Sequence, residues 1–189
     1  MNEMINRVIR AASLDKKLYQ EVEADPSLNQ EALTVVIIVS IIGAVGTFLS
    51  GIFSGQIGSA LWGLVVTILL GITSYFIWSY VTHFIGKSLF QASSTPGEVL
   101  RVLGYASGPR ALTILSFIPC LGGLISLVAG IWALVAGFIG VQEALDLDTT
   151  KTLITVVIGW ILIFFINLLV GSLMGFGSLG LNAAVNFLR

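Results

Sequence analysis

An all-α integral membrane protein, a five-helix transmembrane bundle led by a short amphipathic helix, is the fold class this sequence predicts. Three observations lead there. No Lys, Arg, Asp or Glu occurs in 32–86, 111–142 or 152–188, and each tract exceeds the ~20 apolar residues that cross a bilayer. Charged residues make up 10% of the chain, where soluble domains carry about 25%. Apolar residues make up 56%, more than one soluble core of this length can hide; the mean hydropathy is +1.00.

Residues 1–31 hold more than half of the charges and read as a cytoplasmic or interfacial segment. Met1, Met4, Ile5, Val8, Ile9 and Ala12 recur at helical spacing with Arg7 and Arg10 opposite, which suits a helix lying in the membrane interface. Leu14, Leu18 and Val22 continue the pattern until Asp25-Pro26-Ser27 breaks it. The segment is expected either to pack loosely on its own bundle or to dock a partner or lipid headgroups. No apolar region of a cleavable leader precedes the first span, so none is expected.

Five spans follow in the domain 32–174: 32–53, 60–83, 98–118, 121–142 and 152–174. An uncharged turn, 54–59, joins the first two. Pro119-Cys120-Leu121-Gly122-Gly123 turns the third into the fourth, and Asp148 and Thr149 are N-cap candidates for the fifth. The third span, with Arg101, Gly108, Pro109 and Arg110, is the least apolar; a four-span alternative makes 98–120 interfacial or re-entrant. The glycine-rich tail 175–189 carries no firm assignment. Arg7, Arg10, Lys16, Lys17, Lys87, Arg101 and Lys151 fall on one side of the five-span arrangement, and only Arg189 on the other. The N-terminus is therefore expected in the cytoplasm and the C-terminus outside it.

Small residues recur four apart: Gly51 with Gly55, Gly104 with Gly108, Gly122 with Ser126 and Gly130, Gly171 with Gly175. Such rows let helix backbones approach closely in lipid, within one chain or between two copies. Trp62, Trp78 and Tyr80 are candidate interface anchors, while Trp132 and Trp160 lie nearer mid-span.

The chemistry of catalysis is sparse here. Cys120 is the one cysteine, expected to be a small core residue, and His83 closes the second span without partners at metal-ligand spacing. No cofactor, metal or catalytic residue is expected, and a net charge of −1 gives no footprint for nucleic acid. Arg110 stands apart. It falls well inside the hydrocarbon, where a guanidinium costs at least ~2.5 kcal/mol. Pro109 strips the carbonyl near Tyr105 of its helical donor. Arg110 or Tyr105 is expected either to lock that kink or to meet a lipid phosphate or other anion.

The run Gly104-Tyr105-Ala106-Ser107-Gly108-Pro109, a Gly-Tyr-x-x-x-Pro pattern early in a middle span, resembles the signature of the Yip family of Ypt/Rab-interacting membrane proteins. Leu18-Tyr19, Asp25-Pro26, Ile118-Pro119, Leu121-Gly122, Ile131-Trp132 and Glu143-Ala144-Leu145 match its prokaryotic branch in order and spacing. The resemblance implies five spans, a cytoplasmic N-terminus and a prokaryotic plasma membrane. Eukaryotic members bind prenylated small GTPases. Where they carry Asp-Leu-Tyr-Gly-Pro, Asp15 to Tyr19 reads Asp-Lys-Lys-Leu-Tyr, so a GTPase partner is not carried over. The expected function is a non-enzymatic membrane scaffold or adaptor that meets lipids and itself or another membrane protein. The alternative is a transporter or channel component for a lipid or small anion, using Gly104, Tyr105, Gly108, Pro109 and Arg110.

Overall fold

The fold is seen in a computed structural model that describes residues 2–53, 55, 57–162 and 165. Two short helices, α1 (Asn2–Ala12) and α2 (Lys16–Ala24), open the chain. A 3-10 turn, Pro26–Leu28, leads into α3 (Asn29–Phe53), and α4 (Ile57–Phe90) returns beside it. Next come α5 (Pro96–Ala106), a 3-10 segment (Gly108–Phe117), α6 (Gly122–Ala144) and α7 (Thr149–Leu162). No strand occurs among the described residues.

Three helical stretches are long and apolar enough to cross a membrane: Pro26–Phe53, Ala60–Phe90 and Gly122–Ala144. Their outward faces confirm the environment that composition implies. Leu61, Trp62, Leu69, Leu70, Leu124, Leu127 and Ile131 are all more than half exposed, an apolar surface that only lipid or protein can cover.

The expected third span is not a single α-helix. Thr95 caps α5 through a reciprocal box with Glu98, and the helix stops at Ala106, where Pro109 stands near the start of the 3-10 segment. There its missing N–H falls among groups that have no helical acceptor anyway. The 3-10 form nevertheless carries the segment along α3. Gly104 lies against Ala32, Gly46 against Thr113 and Ser116, and the rings of Phe53 and Phe117 stack with centroids 5.9 Å apart. The two run parallel. Because a 3-10 helix rises about 2.0 Å per residue against 1.5 Å, Gly104 to Phe117 reaches along α3 with fewer residues. Of the expected fifth span, 152–174, the described part is α7 and Phe165; Gly171, Gly175 and the tail 175–189 lie outside the described residues.

The second span is longer than expected. Helix α4 continues past His83 to Phe90, so His83 does not end a helix; it is buried, with Nδ1 3.2 Å from Ser94 Oγ. Cys120 is not a core residue either. It is exposed and holds φ at +66° in the turn before α6, because the chain must reverse there within a few residues.

Close contact is made at glycines both inside and outside the four-residue rows, Gly104 against Ala32 and Gly108 against Val8 among the former. A Cβ on Gly46 would lie 2.4 Å from the Thr113 carbonyl oxygen, and one on Gly71 2.6 Å from Ser40 Oγ. Of the expected row, Gly122 is a true contact, with Ser116 O 1.9 Å from the place a Cβ would take. Ser126 turns its hydroxyl back onto Gly122 O at 2.8 Å, and Gly130 has no neighbour where a Cβ would stand. Gly51 is half-buried near the end of α3. Gly55 serves the turn, with φ at +73° and open space around it.

Candidate functional site

The charged N-terminal segment is not loosely attached. Ala11, Leu18, Tyr19 and Val22 are fully buried, and α2 packs on α5 and α6. Helix α1 sits over the break after α5, with Val8 Cγ1 2.8 Å from where a Cβ on Gly108 would stand. Trp132 Nε1 donates to the last carbonyl of α1, Ala12 O, at 2.7 Å. Met4 and Val8 face the core, while Ile5 and Ile9 are at least half exposed.

Three polar junctions brace this headpiece. In the first, Glu31 Oε1 accepts from Tyr105 Oη at 2.5 Å and from Arg7 Nη1 at 2.8 Å, tying α1, α3 and α5 together at one oxygen. Tyr105 is fully buried, so its hydroxyl needs a partner there. Tyr105→Phe should lower the melting temperature of the purified protein, corresponding to a loss of about 1–2 kcal/mol.

In the second, Arg101, only 4% exposed, closes the C-terminus of α2. Its Nε donates to Val22 O at 2.8 Å, one Nη to Glu23 O, and the other to Asn29 Oδ1 at 3.0 Å. The last carbonyls of a helix lack intrahelical donors and carry its negative end. A buried guanidinium therefore finds partial compensation without a carboxylate.

The third lies on the surface. Arg10 donates to Asp15 at 2.8 Å and to Glu21 at 2.7 Å, and its guanidinium holds both carboxyls below their ordinary range. Lys16 and Gln20 reach Glu143 at the end of α6.

Glu23 departs from this balance. One carboxylate oxygen is buried without a hydrogen bond. Desolvation, then the charges of Asp146, Glu143 and Glu98, push its pKa up to about 7 against the pull of Arg101. A carboxyl whose folded value exceeds its unfolded one favours the protonated form. Its full stability is present below about pH 4.5 and is lost as pH rises through 7. Glu23→Gln should thus gain on wild type between pH 5 and 8, by on the order of 1 kcal/mol after solvent screening. Paired melting curves across that range check it.

The Gly-Tyr-x-x-x-Pro run points in two directions. Gly104, Tyr105, Gly108 and Pro109 are buried against α1 and α3. At the end of α5 Ser107 donates its hydroxyl, at 2.6 Å, and its backbone N–H, at 3.3 Å, to the Gly104 carbonyl. Arg110 faces the other way, into a cavity of about 460 Å³ between α4, α5, α6 and α7. Trp78, Leu134, Phe138, Val156 and Trp160 wall it, with Ser74, Tyr75 and Ser107 as polar neighbours. Among the described residues nothing accepts a hydrogen bond from the Arg110 side chain, and no carboxylate lines the cavity. Asp148, far from it in sequence, caps α7 by accepting from Lys151 N at 2.9 Å.

With the crossing geometry and the buried tyrosine in view, the comparison with known families is decisive: the Yip1 domain matches residues 15–175. The chain belongs to the Yip1 family. The matched range runs from the N-cap of α2 through the described part of α7, so the headpiece helix α2 is part of the Yip1 unit and α1 precedes it. No curated protein and no solved structure matches this Yip1 chain. The residues that tie the Yip1 fold together here, Arg7, Glu31 and Arg101, have no short motif of their own. The Thr95-Pro96-Gly97-Glu98 box does, and it marks the start of α5 in the sequence. Among the described residues no group of His, Cys, Asp and Glu could hold a metal ion.

Proposed function

We propose that this Yip1-family membrane protein is a non-enzymatic scaffold or adaptor, threaded five times through a prokaryotic plasma membrane with its N-terminus in the cytoplasm. The headpiece carries the reading. Arg7–Glu31–Tyr105 and Arg101 hold α1 and α2 in fixed register on the bundle, which presents a rigid charged platform on the side that holds the basic loops. Segment 96–117 serves as the third crossing in this reading, supported by its parallel course along α3. Crosslinking in intact membranes should capture a complex with a second copy or another membrane protein. A strictly monomeric chain without a co-purifying partner would overturn the proposal, and tags on both termini labelled from one compartment would overturn the five-fold threading.

The Arg110 cavity favours a second reading, a transporter or channel component for a lipid or small anion. Its support is an interhelical space with a cation on its wall. Tyr105 drops out of that site because its hydroxyl is engaged by Glu31. Liposome flux that is unchanged by Arg110→Ala would end it.

A further inference from the structure

We propose that the Arg110 cavity holds one anionic phospholipid, its phosphate on the guanidinium and an acyl chain along the apolar wall. The inference shares its cavity with the transport reading but concerns residence, not movement.

The argument begins with the cation. Arg110 is exposed and lines the cavity, so its guanidinium can meet whatever enters there. A guanidinium at this depth, four residues beyond the buried Ala106 and short of the contact between Thr113 and Gly43, has no bulk water around it in a bilayer. Every other arginine of the described headpiece has oxygen partners: Arg7 has Glu31, Arg10 has Asp15 and Glu21, Arg101 has the end of α2. The Glu31 carboxylate is engaged by Tyr105 and Arg7, and the described lining of the cavity offers only the neutral hydroxyls of Ser74, Tyr75 and Ser107. A guanidinium held in hydrocarbon with no carboxylate beside it among the described residues needs an anion within contact distance.

The walls select the anion. Arg presents a planar fork that fits the oxygens of a phosphate with two parallel bonds. Trp78, Leu134, Phe138, Val156 and Trp160 offer a free inorganic ion nothing, while they cover a hydrocarbon chain well. A volume of about 460 Å³ lies in the range of sites that enclose a small ligand, ~300–1,000 Å³. Gly130 widens the space, since a Cβ there would meet no atom within 4 Å. An amphiphile with a phosphate head satisfies both halves of the site; a zwitterionic lipid carries its own cation to the same place and should bind less well.

Native mass spectrometry of the full chain, equilibrated with equal amounts of phosphatidylglycerol and phosphatidylcholine in neutral detergent, tests this. Wild type should retain one phosphatidylglycerol in about tenfold preference. Arg110→Gln should abolish the preference, and Arg110→Lys should keep part of it. Gly130→Leu fills the cavity but leaves the cation in place, so it should reduce retention of both lipids without lowering stability. An unchanged preference in Arg110→Gln together with unchanged retention in Gly130→Leu would overturn the proposal. So would inorganic phosphate that displaces phosphatidylglycerol at equal concentration, which would identify a free-anion site. A failed flux experiment would leave lipid residence standing.

Discussion

Gly122→Ala should produce the largest loss of stability of any single methyl group added to the described bundle. The new Cβ would sit 1.9 Å from the Ser116 carbonyl oxygen, and that atom belongs to the backbone of the 3-10 segment. A flexible side chain can swing aside from such a clash; a carbonyl between two packed helices cannot. Overpacking costs typically ~1–3 kcal/mol, occasionally more, and this case belongs at or above the upper end. Thermal melting followed by tryptophan fluorescence reads it out. Gly130→Ala supplies the control. With nothing within 4 Å of its Cβ, it should gain the ~0.5–1 kcal/mol by which alanine exceeds glycine inside a helix. Equal melting temperatures for the two variants would show that α6 does not start hard against the 3-10 segment.

Arg101→Met should cost about 3 kcal/mol, because it keeps the stem but strips donors from Val22 O, Glu23 O and Asn29 Oδ1 at once. The negative end of α2 would then lie buried with no positive group against it. Arg101→Lys, with one compact ammonium in place of the fork, should recover only part of the loss. The readout is again melting temperature, joined by protease cleavage between α1 and α2, which should become faster as α2 lifts from α5. A loss below about 1 kcal/mol would show that water already serves those carbonyls.

The all-helical membrane character was legible in the sequence, because uncharged tracts of this length have few other homes. The start of α3 follows Pro26 and that of α6 follows Pro119, and the N-cap at Asp148 is written in residue type. What stayed hidden depends on atoms far apart in the chain. Glu31 looks like the last charge before a span, and nothing local says that Tyr105 and Arg7 meet on one of its oxygens. Arg101 reads as a loop cation that marks the cytoplasmic side; only tertiary packing turns it onto the end of α2. Small-residue spacing picked out Gly104, Gly108 and Gly122 but missed Gly46 and Gly71, which make close approaches with no second glycine four residues away. Gly104, Tyr105, Gly108 and Pro109 of the Gly-Tyr-x-x-x-Pro run pack against α1 and α3 while Arg110, just after it, lines the cavity, and that division depends on where α5 stops.

The stretched form of residues 108–117 has a mechanical consequence. Rewound as an α-helix, those ten residues would shorten by about 5 Å, at 2.0 against 1.5 Å each. Its upstream end is moored at Arg101 and its downstream end at Gly122, so contraction would tear loose one mooring or the other. The segment is thus a strut of set length, and inserting or deleting one residue within it should be tolerated far worse than the same change in the turn between α3 and α4.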